Sequence, residues 1–176
     1  MKRNLMVLSY DYDLSKRLAE SLAETFSMRF FDQIEMFNFH NVPRDVSTMY
    51  RECGEEYTMK KLRSVVKMEL DFDDAVFVAD ISLVDNCSDL FLKLKHSNFI
   101  IFLYKDTADE INELNSKEYS SPEEKALFSS DENVLTQRKL VVSSELADVR
   151  VNINGLLEDE ILNEVIDGIK NYYAVD

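Results

Sequence analysis

Short, uninterrupted apolar runs are the most regular feature of the chain. They occupy residues 5–8, 75–79 and 98–104, and each gives way to polar or charged residues. Runs of this length without alternation are typical of parallel strands that are buried on both faces. Residues 28–32 form a shorter candidate strand that ends on an aspartate, and residues 149–153 alternate as an edge strand does. The pattern predicts a sheet that is mainly parallel.

Between these runs, apolar residues recur at helical spacing. Leu14, Leu18, Leu22 and Phe26 predict a first helix that begins near Asp13 or Leu14. Further helices are predicted at residues 55–70, 85–95, 107–114 and 158–173. Because strands alternate with helices, the chain is predicted to form one α/β domain over residues 1–176 with a parallel sheet.

Two stretches depart from this alternation. Residues 33–50 have mixed character, and Pro43 interrupts any helix within them. Residues 116–132 are polar, serine-rich and acidic, which predicts an excursion from the compact body.

Charge excludes several classes of partner. The chain of 176 residues has a formal net charge of −14, so it repels nucleic acid and anionic membranes. No apolar run approaches the roughly 20 residues that span a bilayer, and no signal peptide is recognisable. Cys53 and Cys87 match no metal-ligand spacing and are expected to be reduced thiols. We therefore expect a cytoplasmic protein whose partner is a protein or a small molecule.

The turn between the first strand and the first helix has the geometry with which many proteins bind phosphate. A helix N-terminus that follows a strand presents free amides to an anion. Such a site also needs glycines for close backbone approach, together with a lysine and a hydroxyl. Residues 9–16 contain no glycine and carry Asp11 and Asp13. An aspartate here can cap the helix from within and take the place of a bound phosphate.

Two other polar patterns each have two interpretations. Aspartates stand at the predicted carboxyl ends of strands, where open α/β sheets bind ligands; they are Asp11, Asp13, Asp32, Asp80 and Asp106. They could hold Mg²⁺ or Ca²⁺, but capping, which accounts for Asp13, is the favoured interpretation. A basic face on the helix at 55–70 is interpreted as solvated surface, with an anion or partner site as the alternative; it contains Lys60, Lys61, Arg63 and Lys67.

Several local strings, with the order of elements, resemble the shikimate kinase family of small P-loop kinases. The clearest strings are Arg51 to Tyr57 and Phe30-Phe31-Asp32, supported by residues 5–23 and by residues 144–149 followed by Asn154-Gly155-Leu156. The resemblance implies a three-layer α/β/α fold with a five-stranded parallel sheet in the order 2-3-1-4-5. It also implies that residues 116–132 are the lid.

Carried over by position, the functional residues of that family are mostly replaced. The phosphate loop falls on Ser9 to Lys16, with Ser15 at the lysine position and Lys16 at the magnesium-binding serine position. Asp32 matches the first aspartate of an Asp-x-Asp motif, but Ile34 replaces the second, which would bind shikimate. The family's other substrate-binding positions fall on Met59, on Asp80-Ile81-Ser82, and on Lys139 or, with a one-residue shift, Arg138.

The sequence therefore supports two hypotheses. The leading one is a catalytically inactive, shikimate-kinase-like protein with a degenerate phosphate loop, no cofactor and a binding, scaffolding or regulatory role. Its degenerate positions are Ser9, Asp11, Asp13, Ser15 and Lys16, and residual ligand contacts are expected at Asp32, Asp80, Arg138 and Lys139. The alternative is a divergent ATP- and Mg-dependent small-molecule kinase with a site rebuilt around Lys16, Asp32 and Lys139 or Arg138.

Overall fold

Five parallel strands form the centre of the molecule in a computed structural model of the chain. The strands are β1 (Asn4–Ser9), β2 (Arg29–Asp32), β3 (Ala75–Asp80), β4 (Asn98–Tyr104) and β5 (Val149–Asn152). They are hydrogen-bonded in the order β2-β3-β1-β4-β5, and every pair is parallel. The structure describes residues 3–9, 11–41, 45–80, 88–105, 143 and 145–174, without the side chains of residues 47, 80 and 88.

Helices connect the strands and cover the sheet. They are α1 (Tyr12–Phe26), α2 (Gln33–Asn41), α3 (Val46–Cys53), α4 (Glu55–Met68), α5 (Ser88–Leu94) and α6 (Glu158–Ala174). A 3-10 turn (Glu69–Asp71) follows α4 directly. Gly54 joins α3 to α4 with a φ of +81°, a backbone conformation that favours glycine and makes this short connection possible.

Alternate residues of the strands pack into two separate cores. On one face of the sheet, Leu5 and Val7 pack with the buried faces of α1 and α6. On the other face, Met6 and Leu8 pack with residues of α4 and α5. The sheet is therefore buried on both sides, which explains why the strands are apolar without alternation.

A smaller third core holds α2, α3 and α4 together. Phe37 of α2 is fully buried against Met49 of α3 and against Leu62 and Val65 of α4. This helical unit, α2 to α4, follows β2 in the chain and is joined to β3 through the 3-10 turn. It has an apolar core distinct from the two cores that cover the sheet.

Most of the elements predicted from the sequence are confirmed. The strands at 5–8, 75–79, 98–104 and 149–153 are present, the last of them at an edge of the sheet, and the order 2-3-1-4-5 implied by the family resemblance is the observed order. Two details differ: α1 begins at Tyr12, and the mixed stretch contains two regular helices, α2 over residues 33–41 and α3 from residue 46. The predicted helix at 107–114 and the predicted lid at 116–132 lie outside the described residues. No helix in the described ranges is long and apolar enough to cross a membrane.

Candidate functional site

The sequence predicts the candidate site at the carboxyl edge of the sheet. At this edge, the turn after β1 is held by hydrogen bonds among its own residues and the first turn of α1. Only positions 10 and 11 separate the end of β1 from the start of α1. The Asp11 amide donates to Ser9 Oγ at 2.9 Å, and Asp11 Oδ1 accepts from the Leu14 amide at 2.9 Å. Asp11 is thus the N-cap of α1.

This geometry confirms that an aspartate caps the helix, and it corrects which one. Asp13 was expected to be a cap, but it lies within the first turn of α1 because the helix begins at Tyr12. Its carboxylate still adds negative charge at the positive end of the helix dipole. The N-terminus of α1 therefore carries two acidic side chains of the protein itself.

Among the described side chains of this edge, Asp32 at the end of β2 makes the most hydrogen bonds. Its Oδ1 accepts from Tyr12 Oη at 2.6 Å and from the amides of Ile34 and Glu35 at 2.9 and 3.0 Å. Its Oδ2 lies 3.0 Å from Lys16 Nζ. Since the two amides belong to the first turn of α2, Asp32 also caps that helix.

The charge of Asp32 is stabilised in spite of its burial. Only 2% of its side chain is exposed, whereas the side chain of Lys16 is 30% exposed. Burial opposes ionisation of Asp32, but the hydrogen bonds from Tyr12, the Glu35 amide and Lys16 together outweigh it and lower its pKa below the ordinary value. Asp32 is therefore ionised, and the protein itself supplies its hydrogen-bond donors and its cation.

Lys16 is bound to two carboxylates of the same cluster. Besides Asp32 Oδ2, its Nζ contacts Glu35 Oε1 at 2.5 Å. The hydrogen bond to Glu35, then the bond to Asp32, raises the pKa of Lys16 above its ordinary value, against a smaller opposing effect of burial. Lys16 lies in the second turn of α1, and its ammonium group points to the first turn of α2 rather than standing free at the helix N-terminus.

The remaining predicted site residues fall into two groups. Ser15 is fully buried in α1, and its hydroxyl has no hydrogen-bond partner among the described residues. Asp80 pairs with Ser9 at the end of β3, so its backbone lies at this edge, whereas Asp32 pairs with Val78 and lies deeper. Arg138, Lys139 and Asp106 lie outside the described residues.

The aspartates do not assemble into a metal site within the described part of the chain. No group of three or more His, Cys, Asp or Glu side chains there is arranged to hold a metal ion. Asp32 in particular already uses both oxygens on Lys16, Tyr12 and backbone amides. Two cavities lined by described residues lie elsewhere: one of about 410 Å³ at the far end of α1, beside Ser27, and one of about 60 Å³ between α1 and α6.

Sequence reasoning missed Tyr12 and Glu35. Glu35 had a signal, because Asp32 and Glu35 are spaced as the N-cap and N3 residues of a capping box, which marks the start of a helix at residue 33. Tyr12 had no such signal, because its contact with Asp32, 20 positions away in sequence, forms only through the tertiary fold.

Comparison with known proteins shows the fold of the chain. No protein-family model matches the sequence, and no curated protein does. Shikimate kinase from Aquifex aeolicus superposes with a TM-score of 0.76 at 16% identity, over 97% of this chain and 98% of that one. Shikimate kinase from Acinetobacter baumannii, solved in complex with shikimate, gives 0.72 at 12% identity, over 98% of this chain and 95% of that one.

A gluconokinase from Sinorhizobium meliloti extends the likeness beyond shikimate kinases. It superposes with a TM-score of 0.55 at 12% identity, over 99% of this chain and 98% of that one. At such identities the likeness concerns the fold and not the chemistry of the site. The chain has the five-stranded α/β fold of shikimate kinase and related P-loop kinases.

Proposed function

We propose that this chain is a catalytically inactive, shikimate-kinase-like protein with a binding, scaffolding or regulatory role. In this proposal it binds no ATP in the usual way and needs no cofactor. The single observation that carries the proposal is the state of Lys16, which is paired with Asp32 and Glu35 beside a helix N-terminus that Asp11 already caps.

The phosphates of a nucleotide would meet an unfavourable field at this turn. At about 4 Å and an effective dielectric constant of about 20, each carboxylate–phosphate contact costs about 4 kcal/mol per pair of unit charges. Asp11 and Asp13 both stand in the turn or the first helical turn, and the Leu14 amide already donates to Asp11. The turn also has no glycine with which the backbone could wrap a phosphate. The residues present therefore do not fit the triphosphate and magnesium ion that this fold implies.

Recruiting Lys16 to a phosphate would add a second cost. Its ammonium group would have to leave Asp32, whose side chain is only 2% exposed, without its cation. Because Lys16 itself is partly exposed, the cost lies between the values for exposed and buried pairs, about 1 to 3 kcal/mol. The internal cluster thus competes directly with nucleotide binding.

The negative net charge of the chain disfavours partners that are themselves negatively charged. With a net charge of −14, the proposal assigns a protein or a small molecule as the partner, rather than nucleic acid or a membrane surface. It assigns the protein to the cytoplasm. The basic residues of α4 offer one surface for such a partner, although Arg63 there is already engaged by Asp89 in two parallel bonds at 2.9 and 3.0 Å.

Titration calorimetry with magnesium ATP tests the proposal. We expect no saturable heat with the wild-type protein up to millimolar nucleotide, and no rise of the melting temperature under the same conditions. Lys16→Ala and, as a matched control, Lys170→Ala should behave identically, because neither lysine is expected to bind nucleotide; Lys170 is an exposed residue of α6 that pairs with Asp167. Tight binding that Lys16→Ala abolishes and Lys170→Ala preserves would overturn the proposal.

A divergent small-molecule kinase is the second candidate. Lys16 and Asp32 lie together at the carboxyl edge of a kinase fold, which is where such an enzyme would need a cation and an acid. This candidate predicts ATP-dependent phosphorylation of a small hydroxylated acceptor that depends on Lys16, Asp32 and Lys139 or Arg138. A phosphotransfer assay against shikimate, gluconate and other sugar acids separates the two candidates. Turnover that is lost in Lys16→Ala would favour the enzyme.

A further inference from the structure

A second buried acid lies where the 3-10 turn after α4 meets the start of α2. The side chains of Glu69 and Gln33 are both fully buried. Gln33 Nε2 donates to Glu69 Oε1 at 2.9 Å, whereas Glu69 Oε2 has no hydrogen-bond partner among the described residues. The carboxyl group is therefore shielded from solvent and receives one hydrogen bond, from a neutral side chain.

The charged groups on the packed elements, within the described ranges, are directed elsewhere. On α4, Arg63 pairs with Asp89 of α5, and on α2, Glu35 pairs with Lys16. Three other charged residues of α4, the 3-10 turn and α5 are exposed: Lys67, Asp71 and Lys93. Asp32, which precedes Gln33, pairs with Lys16. None of these groups is within hydrogen-bond or ion-pair distance of Glu69 in the contacts of the described residues.

We propose that Glu69 is a neutral carboxylic acid in the folded protein at neutral pH and acts as a pH-sensitive latch between the 3-10 turn that follows α4 and the start of α2. A carboxylate at this position would be fully buried with one donor, which is far less than a buried charge needs. A protonated carboxyl keeps the hydrogen bond from Gln33 and carries no charge. This inference does not depend on the proposed function.

The titration of Glu69 supports this geometry. Burial raises the pKa of Glu69 to about 8, against the opposing effect of the hydrogen bond from Gln33. The folded protein therefore holds a proton that the unfolded chain releases above its ordinary pKa of 4.5. The stabilising contribution is fully present below pH 4.5 and is lost as the pH rises to about 8.

The pH range of this loss of stability identifies Glu69 as the residue responsible. Among the described residues with a shifted pKa, Glu69 is the one whose shift spans neutral pH: the shifted aspartates and Glu158 move downward, and Lys16 and Arg17 move upward from basic values. At alkaline pH the new charge has to be hydrated. We expect the contact between Gln33 and Glu69 to open first, which loosens the start of α2.

Denaturant unfolding of the wild-type protein and of Glu69→Gln at pH 6 and pH 9 tests the latch. Between pH 6 and pH 9 the folding equilibrium constant of the wild type should fall by roughly a hundredfold relative to that of the variant. The reason is that unfolding of the wild type releases about one proton over about two pH units of this range. Glu164→Gln, which changes an exposed glutamate of α6, should follow the wild type. Equal pH dependence of Glu69→Gln and the wild type would overturn the latch.

A second measurement keeps the inference testable if Glu69→Gln does not fold. Unfolding of the wild type at pH 7, followed calorimetrically in buffers of different ionisation enthalpy, reports the number of protons exchanged. We expect about one proton to be released for each molecule that unfolds. The absence of proton release would mean that Glu69 is already ionised in the folded protein, and the latch would be wrong.

Discussion

Asp32 and Glu69 are both buried acids that contact the start of α2, yet their pKa values shift in opposite directions. Asp32 receives hydrogen bonds from a tyrosine, two amides and a lysine, and its pKa is lowered. Glu69 receives one hydrogen bond, from the residue that follows Asp32, and its pKa is raised. Burial is common to both, so the number and charge of the donors decide whether the acid is ionised.

The two acids hold different parts of the molecule in contact with α2. The ionised Asp32 holds Lys16, and through Lys16 it links α1 to α2 at the edge where a kinase of this fold would bind phosphate. The neutral Glu69 links α2 to the end of α4 without any charge. The start of α2 is therefore held by two different contacts: the charged cluster of Asp32, Lys16 and Glu35, and the neutral pair of Gln33 with Glu69.

The most damaging change should be removal of the ionised acid. Asp32→Ala leaves Lys16, Tyr12 and the amides of Ile34 and Glu35 without their shared acceptor. We expect the free energy of unfolding at pH 7 to fall by about 3 kcal/mol or more, in the range found when one partner of a buried charge network is removed. Urea denaturation gives this value.

The matched control for Asp32→Ala is Asp45→Ala. Asp45 caps α3 by accepting from the Thr48 amide at 2.7 Å, but it is exposed. It should cost about 1 kcal/mol, the usual value for an N-cap. Equal effects of the two substitutions would mean that Asp32 is an ordinary cap and that its bonds to Lys16 and Tyr12 contribute little.

Removal of the cation should have a smaller effect. Lys16→Met keeps the aliphatic stem and leaves Asp32 with its tyrosine and amide donors. Since 30% of the lysine side chain is exposed, we expect a loss of about 1 to 2 kcal/mol in the free energy of unfolding. Lys170→Met on α6 serves as the control and should leave stability unchanged. A Lys16→Met protein as stable as the wild type would show that the pair contributes nothing to stability.

Removal of the phenol donor should have an effect about as large as removal of the cation and smaller than that of Asp32→Ala. Tyr12→Phe deletes the 2.6 Å hydrogen bond to Asp32 and retains the ring packing. A hydrogen bond to a charged group contributes about 1.5 kcal/mol, and we expect a loss of that size by chemical denaturation. Tyr57→Phe, on an exposed tyrosine of α4, should change nothing measurable. An effect larger than that of Asp32→Ala would reverse the hierarchy of the cluster.

Much of the fold was predictable from local pattern, because the buried parallel strands are continuous apolar runs. The central strands β3 and β4 were predicted almost to the residue. Helix α2 was not, since its apolar residues do not share one face: Phe37 is fully buried and Phe39 is 78% exposed. Its start is fixed instead by the capping arrangement of Asp32 and Glu35.

The site was predictable only in part. The turn after β1 showed its missing glycines and its aspartates in the sequence, and Asp11 does cap α1. For Asp32 the sequence favours capping, with a residual ligand contact as a further expectation, and the structure shows the cap: its oxygens bond to Tyr12, Lys16 and two amides. These bonds join β2, α1 and α2, and no local periodicity reports which side chains meet when a sheet brings separate segments together.

Nitrogen-15 NMR of the Lys16 ammonium group tests most directly whether this lysine is committed to the protein's own carboxylates. We expect a signal that is protected from solvent exchange by the bonds of the ammonium group to Asp32 and Glu35. The signal should keep its position when millimolar magnesium ATP is added, and it should lose its protection in the Asp32→Asn, Glu35→Gln double variant. A signal that shifts saturably with magnesium ATP in the wild type would show that Lys16 leaves the cluster for phosphate, and it would contradict the account.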